Sequence, residues 1–196
     1  RSKSTEGIVM KSVKRLVTFA GLGIACSTSA LAVPIADLID TGSGLGSAVV
    51  DVNWDFGVIA GNATGVGGHG QTTDDTLFPM QYWMSNASSP ASKWLTPGAQ
   101  AGTGYDQSSA GIYTWTQTFD LTGFNASSAT ISGRWAADNT GTVSINGVVL
   151  ASGQITDPGT FTGWTSFSSA GANFVSGLNT ITFTVTNDAS ATGRRR

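Results

Sequence analysis

The sequence predicts an all-β chain folded as an antiparallel two-sheet β-sandwich, with a Greek key or jelly roll as its natural topology. Three observations predict it. Apolar residues alternate with Thr, Ser and Asp at period two in several separate segments, the signature of strands with one buried face. No segment beyond residue 33 carries a helical repeat. Gly, Ser, Asn and Thr fill the intervals between the alternating segments, as turn residues do between short strands.

Taken in chain order, the first strand is read at 49–56. There Val50, Val52, Trp54 and Phe56 alternate with Val49, Asp51, Asn53 and Asp55. A Gly-rich interval, 57–76, reads as loop, and so does 98–111. Next, Tyr113, Trp115, Gln117, Phe119 and Leu121 alternate with Thr114, Thr116, Thr118 and Asp120, and Thr suits a pleated, half-exposed face. A third strand sets Ile131, Gly133 and Trp135 against Thr130, Ser132 and Arg134. Val143 and Ile145 lead into Asn146-Gly147 and then Val148, Val149 and Leu150. Asn-Gly tolerates positive φ at both positions, so this predicts a tight type I′ hairpin. The last strand sets Ile181, Phe183 and Val185 against Thr182, Thr184 and Thr186. Neither an internal repeat nor a shift in composition divides the chain, so residues 33–193 are expected to be one domain.

Ahead of that domain, Met10 is followed by Lys11, Lys14 and Arg15, an apolar run at 16–25, and small residues ending Ala30-Leu31-Ala32. This is the three-part pattern of a secretory signal peptide, expected at 10–32 with cleavage after Ala32. The apolar run falls short of the roughly 20 residues that a spanning helix needs, so no membrane insertion is expected after cleavage. Residues 1–9 read as an upstream segment outside the fold, and 194–196 as a basic tail. Cys26 lies in the leader, so disulfides cannot hold the mature domain together. A lipid acceptor role for Cys26 expects a bulky aliphatic where Gly23 stands.

Charge excludes whole classes of partner. Only Lys93 and Arg134 lie within 33–193, against eleven Asp and no Glu, which leaves that span at −9. Nucleic acid and anionic lipid both demand the opposite sign.

Three stretches, YTWTQTFDLTGF at 113–124, ISGRWAADNTGTVSINGVVL at 131–150 and FVSGLNTITFTVTNDASATG at 174–193, resemble a domain of secreted bacterial proteins of the PEP-CTERM type, which carry a galactose-binding-like jelly roll. DTGSG at 40–44, DVNWDF at 51–56 and SKWLTP at 92–97 stand in the order that resemblance implies. The resemblance spans 38–193 and implies a bacterial cell-surface or extracellular-matrix setting. It also implies a structural calcium near the chain ends. One departure stands out: the family's segment runs on into a last strand and a sorting tail, where this chain has three arginines after Gly193. A missing last strand would leave a sheet edge unpaired.

Catalytic chemistry finds little support. His69 is the single histidine, set in GVGGHGQ at 65–71, and reads as an exposed loop residue. No G-x-S-x-G turn presents a nucleophile to it. One histidine and no mature cysteine exclude an ordinary zinc site. Asp74-Asp75 is the one adjacent acidic pair, in a polar loop, and glycoside hydrolysis needs two carboxyls set across a cleft. Asn62, Asn86 and Asn125 each begin a glycosylation triplet but read as plain loop residues.

Calcium is the one metal considered, through Asp51, Asn53 and Asp55. These begin like the D-x-N-x-D of a calcium loop, but the sixth position is Phe56 and the twelfth is Asn62, not Gly and Glu. Alternation instead makes the three the solvent face of a strand that buries Trp54. Six tryptophans in a chain with 11% charged residues point to sugar stacking or to a packed core. Trp54, Trp115 and Trp135 fall in phase with core residues. Tyr82, Trp83, Trp94 and Trp164 lie nearer turns and are the aromatic candidates for carbohydrate contact, with Asp138 and Asn139 as polar ones. The expectation is a non-catalytic exported protein that binds polysaccharide or a cell-surface glycan. A structural matrix protein without a small ligand is the alternative, and a glycoside hydrolase ranks last.

Overall fold

The computed structural model describes residues 9–10, 35, 37–77, 80–88, 92–100, 104–105 and 110–188. Most of the expected leader and all of the basic tail lie outside the described residues. Thirteen strands occur among those described: β1 Val9–Met10, β2 Val50–Ala60, β3 His69–Thr72, β4 Leu95–Thr96, β5 Ala99–Gln100, β6 Gly104–Tyr105, β7 Gly111–Asp120, β8 Thr130–Trp135, β9 Ala137–Asp138, β10 Thr140–Ile145, β11 Val148–Val149, β12 Thr165–Ala170 and β13 Leu178–Asn187. The helical content among these residues is four 3-10 turns of three residues each. None is long and apolar enough to cross a membrane.

Every strand pairing is antiparallel. The larger sheet runs β11-β10-β13-β7-β2-β3-β4-β1-β9, β12 pairs β8 in a second sheet, and β5 with β6 forms a small third one. From β7 the chain crosses to β8, returns for β9 to β11, crosses again to β12 and comes back as β13. Those crossings make an all-β sandwich. Its spine is the β7–β13 ladder, in register from Leu178↔Asp120 to Asn187↔Gly111.

Period-two patterning explains why the sheets meet. Along β13, Ile181, Phe183 and Val185 turn inward and are fully buried, while the threonines between them are half-buried. Phe183 pins the two sheets. Its ring centre lies 5.7 Å from Trp54 of the same sheet, and 5.0 Å and 5.6 Å from Trp135 and Phe167 of the other. Aromatic pairs at such distances add about 0.5–1.5 kcal/mol each beyond area burial. The expected hairpin is present: β10 turns into β11 through Asn146 at φ 49° and Gly147 at φ 80°.

Two local readings need correction. In β2 the phase breaks, because the β2–β3 register shifts between Asp51 and Asp55. That irregularity turns both Asp51 and Trp54 inward and leaves Val52 69% exposed, since extra residues on one strand reverse its alternation. Residues 57–76 and 98–111 are also not wholly loop. The first holds the end of β2 and all of β3; the second holds β5, β6 and the start of β7. Val9–Met10, where the expected upstream segment meets the expected leader, pairs with β4 and β9.

Candidate functional site

Of the six residues expected to contact sugar, four are internal. Trp83 and Trp94 are buried, with ring centres 5.0 Å apart. They pack with Met80 and Ala136 in a second, smaller core. Their indole N–H groups are satisfied inside the protein. Trp83 Nε1 donates to Asp138 Oδ2 at 3.0 Å, and Trp94 Nε1 to the Met84 carbonyl at 2.6 Å. Asp138 is buried against Trp83, and Asn139 is buried while its Oδ1 accepts from the Asp188 N–H at 2.8 Å. The expectation that Trp83 and Trp94 are exposed near turns is therefore corrected, and Asp138 and Asn139, expected as polar contacts, are turned inward beside them. Burial of the two rings and pairing of the polar groups supply the physical reason. Tyr82, 58% exposed, and the partly exposed Trp164 remain open to solvent.

Trp164 touches Arg134, which lines a groove that sequence reasoning did not assemble. Ile131 and Trp135 of β8 and Phe167 of β12 point into the core. Alternation then turns Ser132, Arg134, Ser166 and Ser168 outward. The register sets Ser166 opposite Arg134 and Ser168 opposite Ser132. Together with Ser152 they line an open groove of about 490 Å³. Ser152 also closes the flank of β12: its Oγ accepts from the Ser168 N–H at 2.9 Å and donates to the Ser168 carbonyl at 3.0 Å. The loop carrying Ser152 is held by Trp135 Nε1, which donates to the Gly153 carbonyl at 2.8 Å. Glycine is required there, at φ 80°, because a Cβ would come within 2.4 Å of Phe167 Cβ. Over this floor the Arg134 guanidinium lies 4.3 Å from the Trp164 ring centre, within cation–π range. Arg134 was legible as outward-facing; its aromatic partner, thirty positions on, was not.

A second, polar cleft of about 280 Å³ is lined by Asp37, Asn53, Asp55, Gln117 and Thr118. Gln117 is fixed in place: its Oε1 accepts from the Ile39 N–H at 3.0 Å, and its Nε2 donates to the Asn53 carbonyl at 3.2 Å. His69 is half-buried on β3, not the exposed loop residue that the sequence suggests. Its Nδ1 lies 3.3 Å from Asp55 Oδ1 and 3.4 Å from the Trp54 carbonyl, and no serine hydroxyl among the described residues pairs with it. Asp37 and Asp55 are both exposed.

The expected calcium trio does not converge as ligands. Asp51 is buried. Its Oδ2 accepts from the Gly42 N–H at 2.6 Å, and its Oδ1 accepts from both the N–H and the Nδ2 of Asn53 at 3.1 Å. Asn53 thus turns a donor, not its oxygen, toward Asp51, while Asp55 stands beside His69. Three hydrogen bonds make the buried carboxylate a clamp on the loop after Thr41. Among the described residues no group of three or more His, Cys, Asp or Glu could hold a metal ion.

The groove can do one thing chemically. It can hold a hydroxylated ligand reversibly, through hydroxyls that both donate and accept and a cation fixed on a ring. Comparison with protein-family models, with the curated proteins and with the solved structures found no match for this chain.

Proposed function

We propose that the chain is an exported, non-catalytic β-sandwich protein that binds carbohydrate, such as exopolysaccharide at a bacterial cell surface, through the groove over β8 and β12. The observation that carries this reading is the outer face of that small sheet. Serine hydroxyls and one arginine line a single open groove, and the Trp164 ring lies against that arginine. Sugar recognition asks for such hydroxyl partners beside a donor held on an aromatic ring. Among the described residues that line the groove none is a histidine or carboxylate, which supports binding without turnover. The test is a glycan and polysaccharide screen on the full chain, read by tryptophan fluorescence with and without chelator. Saturable binding unaffected by chelator is expected. A folded protein that binds no member of the panel overturns the proposal.

A second reading, a structural matrix protein without a small ligand, is favoured by the burial of Trp54, Trp83, Trp94, Trp115 and Trp135. Those rings serve packing. A third, a glycoside hydrolase, draws on Asp37 and Asp55 sharing the polar cleft; release of reducing ends, lost in Asp55→Asn, would establish it.

A further inference from the structure

We infer that the groove selects an acidic saccharide, a sugar bearing one carboxylate such as a uronic acid, and that Arg134 grips that carboxylate. The inference rests on the carbohydrate reading above and names its ligand class.

Arg134 stands in an imbalance of charge. Residues 33–193 hold two cations among eleven aspartates, a setting in which an arginine side chain is surrounded by potential carboxylate partners. Arg134 has none among the described residues. Its contact is the face of Trp164, 4.3 Å away, and its enclosed Nε has no hydrogen-bond acceptor there. A guanidinium held against a ring face still has N–H donors that point away from the ring. Such donors match a carboxylate with two parallel hydrogen bonds. The ring contact restrains the side chain beforehand, so less side-chain freedom remains to be lost when the ligand arrives.

The neighbours fit the rest of a sugar. Ser166 is the cross-strand partner of Arg134, and Ser132 precedes it by two positions on the same face. In a sheet such neighbours lie about 5–7 Å apart. A carboxylate held by Arg134 therefore places the ring hydroxyls of one sugar over the serine hydroxyls. Net charge sets the class more narrowly. A span at −9 repels a densely sulfated or phosphorylated polymer at long range, whereas isolated carboxylates among neutral sugars need one cation per site. That is what the groove offers.

The experiment titrates the full chain with a galacto-oligosaccharide that carries one terminal galacturonic acid, and with the same oligosaccharide methyl-esterified at that carboxyl, which keeps the sugar and removes the charge. Galactose 6-sulfate and a neutral galacto-oligosaccharide complete the panel. The acid is expected to bind at least about tenfold more tightly than the ester, the scale of a charge-assisted hydrogen bond. Arg134→Gln should erase that preference, and Arg134→Lys should keep only part of it. Ser166→Asp supplies a second, independent variant at an exposed position: a carboxylate opposite Arg134 should occupy the guanidinium and erase the preference without truncating it. Thermal melts of each variant check folding. Equal binding of acid and ester overturns the inference while leaving carbohydrate binding intact. Binding of the sulfate alone, or an acid preference that survives both Arg134→Gln and Ser166→Asp, also overturns it. Failure of every sugar to bind a folded wild-type chain overturns the carbohydrate reading itself.

Discussion

Replacing Asp51 by Ala isolates the clamp that β2 closes on the preceding loop. The carboxylate is fully buried and accepts three hydrogen bonds, from Gly42 N at 2.6 Å and from Asn53 N and Nδ2 at 3.1 Å each. A hydrogen bond to a charged group contributes about 1.5–3 kcal/mol. Both Asn53 donors are partly buried and can find water once Asp51 is gone, so they add little to the loss. The Gly42 N–H is buried, and leaving it without an acceptor carries its full desolvation penalty. The net cost is about 3 kcal/mol, which for a domain of this size lowers Tm by roughly 6–12 °C. Asp51→Asn should lose more than half as much, because an amide sets donor against donor at one of its two sites. The assay is a circular-dichroism melt of wild type, Asp51→Ala and Asp51→Asn, each with calcium and with chelator. Equal losses in both conditions are expected of a clamp. A drop of less than about 1 kcal/mol, or a loss seen only in calcium, would refute the reasoning, the latter by making Asp51 a metal ligand.

Further perturbations test the frame around the groove. Phe183→Ala removes the ring shared by Trp54, Trp135 and Phe167 and should cost about 3–5 kcal/mol in a denaturant titration. Gly42→Ala should destabilise by more than about 1 kcal/mol, since Gly42 sits at φ 63° and a Cβ there would meet Lys93 Cβ at 2.7 Å and Thr72 Cγ2 at 2.8 Å; a neutral result in the same titration would contradict the loop geometry. The Thr122 hydroxyl and N–H, both donating to Asp120, hold its carboxyl below the usual aspartate range. A depressed native value stabilises the fold above the unfolded pKa and is lost as pH falls through the native one. An NMR titration should accordingly find Asp120 moved upward in Thr122→Val, and no upward movement would contradict it.

How legible the molecule is in its sequence depends on strand length and on where the partners lie. β7, β8, β10 and β13 declare themselves because alternation persists over six to ten residues and one face of each is core. β12 carries the same alternation, but Phe167 is its one large apolar residue among serines, too weak a signal to separate from loop. β3 to β6 hold two to four residues each, and pairing with distant neighbours, not local pattern, makes them strands. The irregularity in β2 left no mark in composition, so its reversed phase, and with it the burial of Asp51, stayed hidden. Trp83 and Trp94 sit between turn residues, yet the chain folds back and encloses them against Ala136. For the groove, sequence placed Arg134 on an outer face and singled out Trp164. Only the tertiary fold shows that the two meet.

The central claim is that ligand binds over β8 and β12, and amide chemical-shift mapping on the labelled full chain tests it most directly. Adding the tightest-binding saccharide of the screen should shift Ser132, Arg134, Ser166 and Ser168 first, together with the Trp164 indole, while Asp37, Asn53 and Asp55 stay in place. Shifts centred on the Asp37–Asp55 cleft, or no shifts at a saturating concentration, would contradict the account.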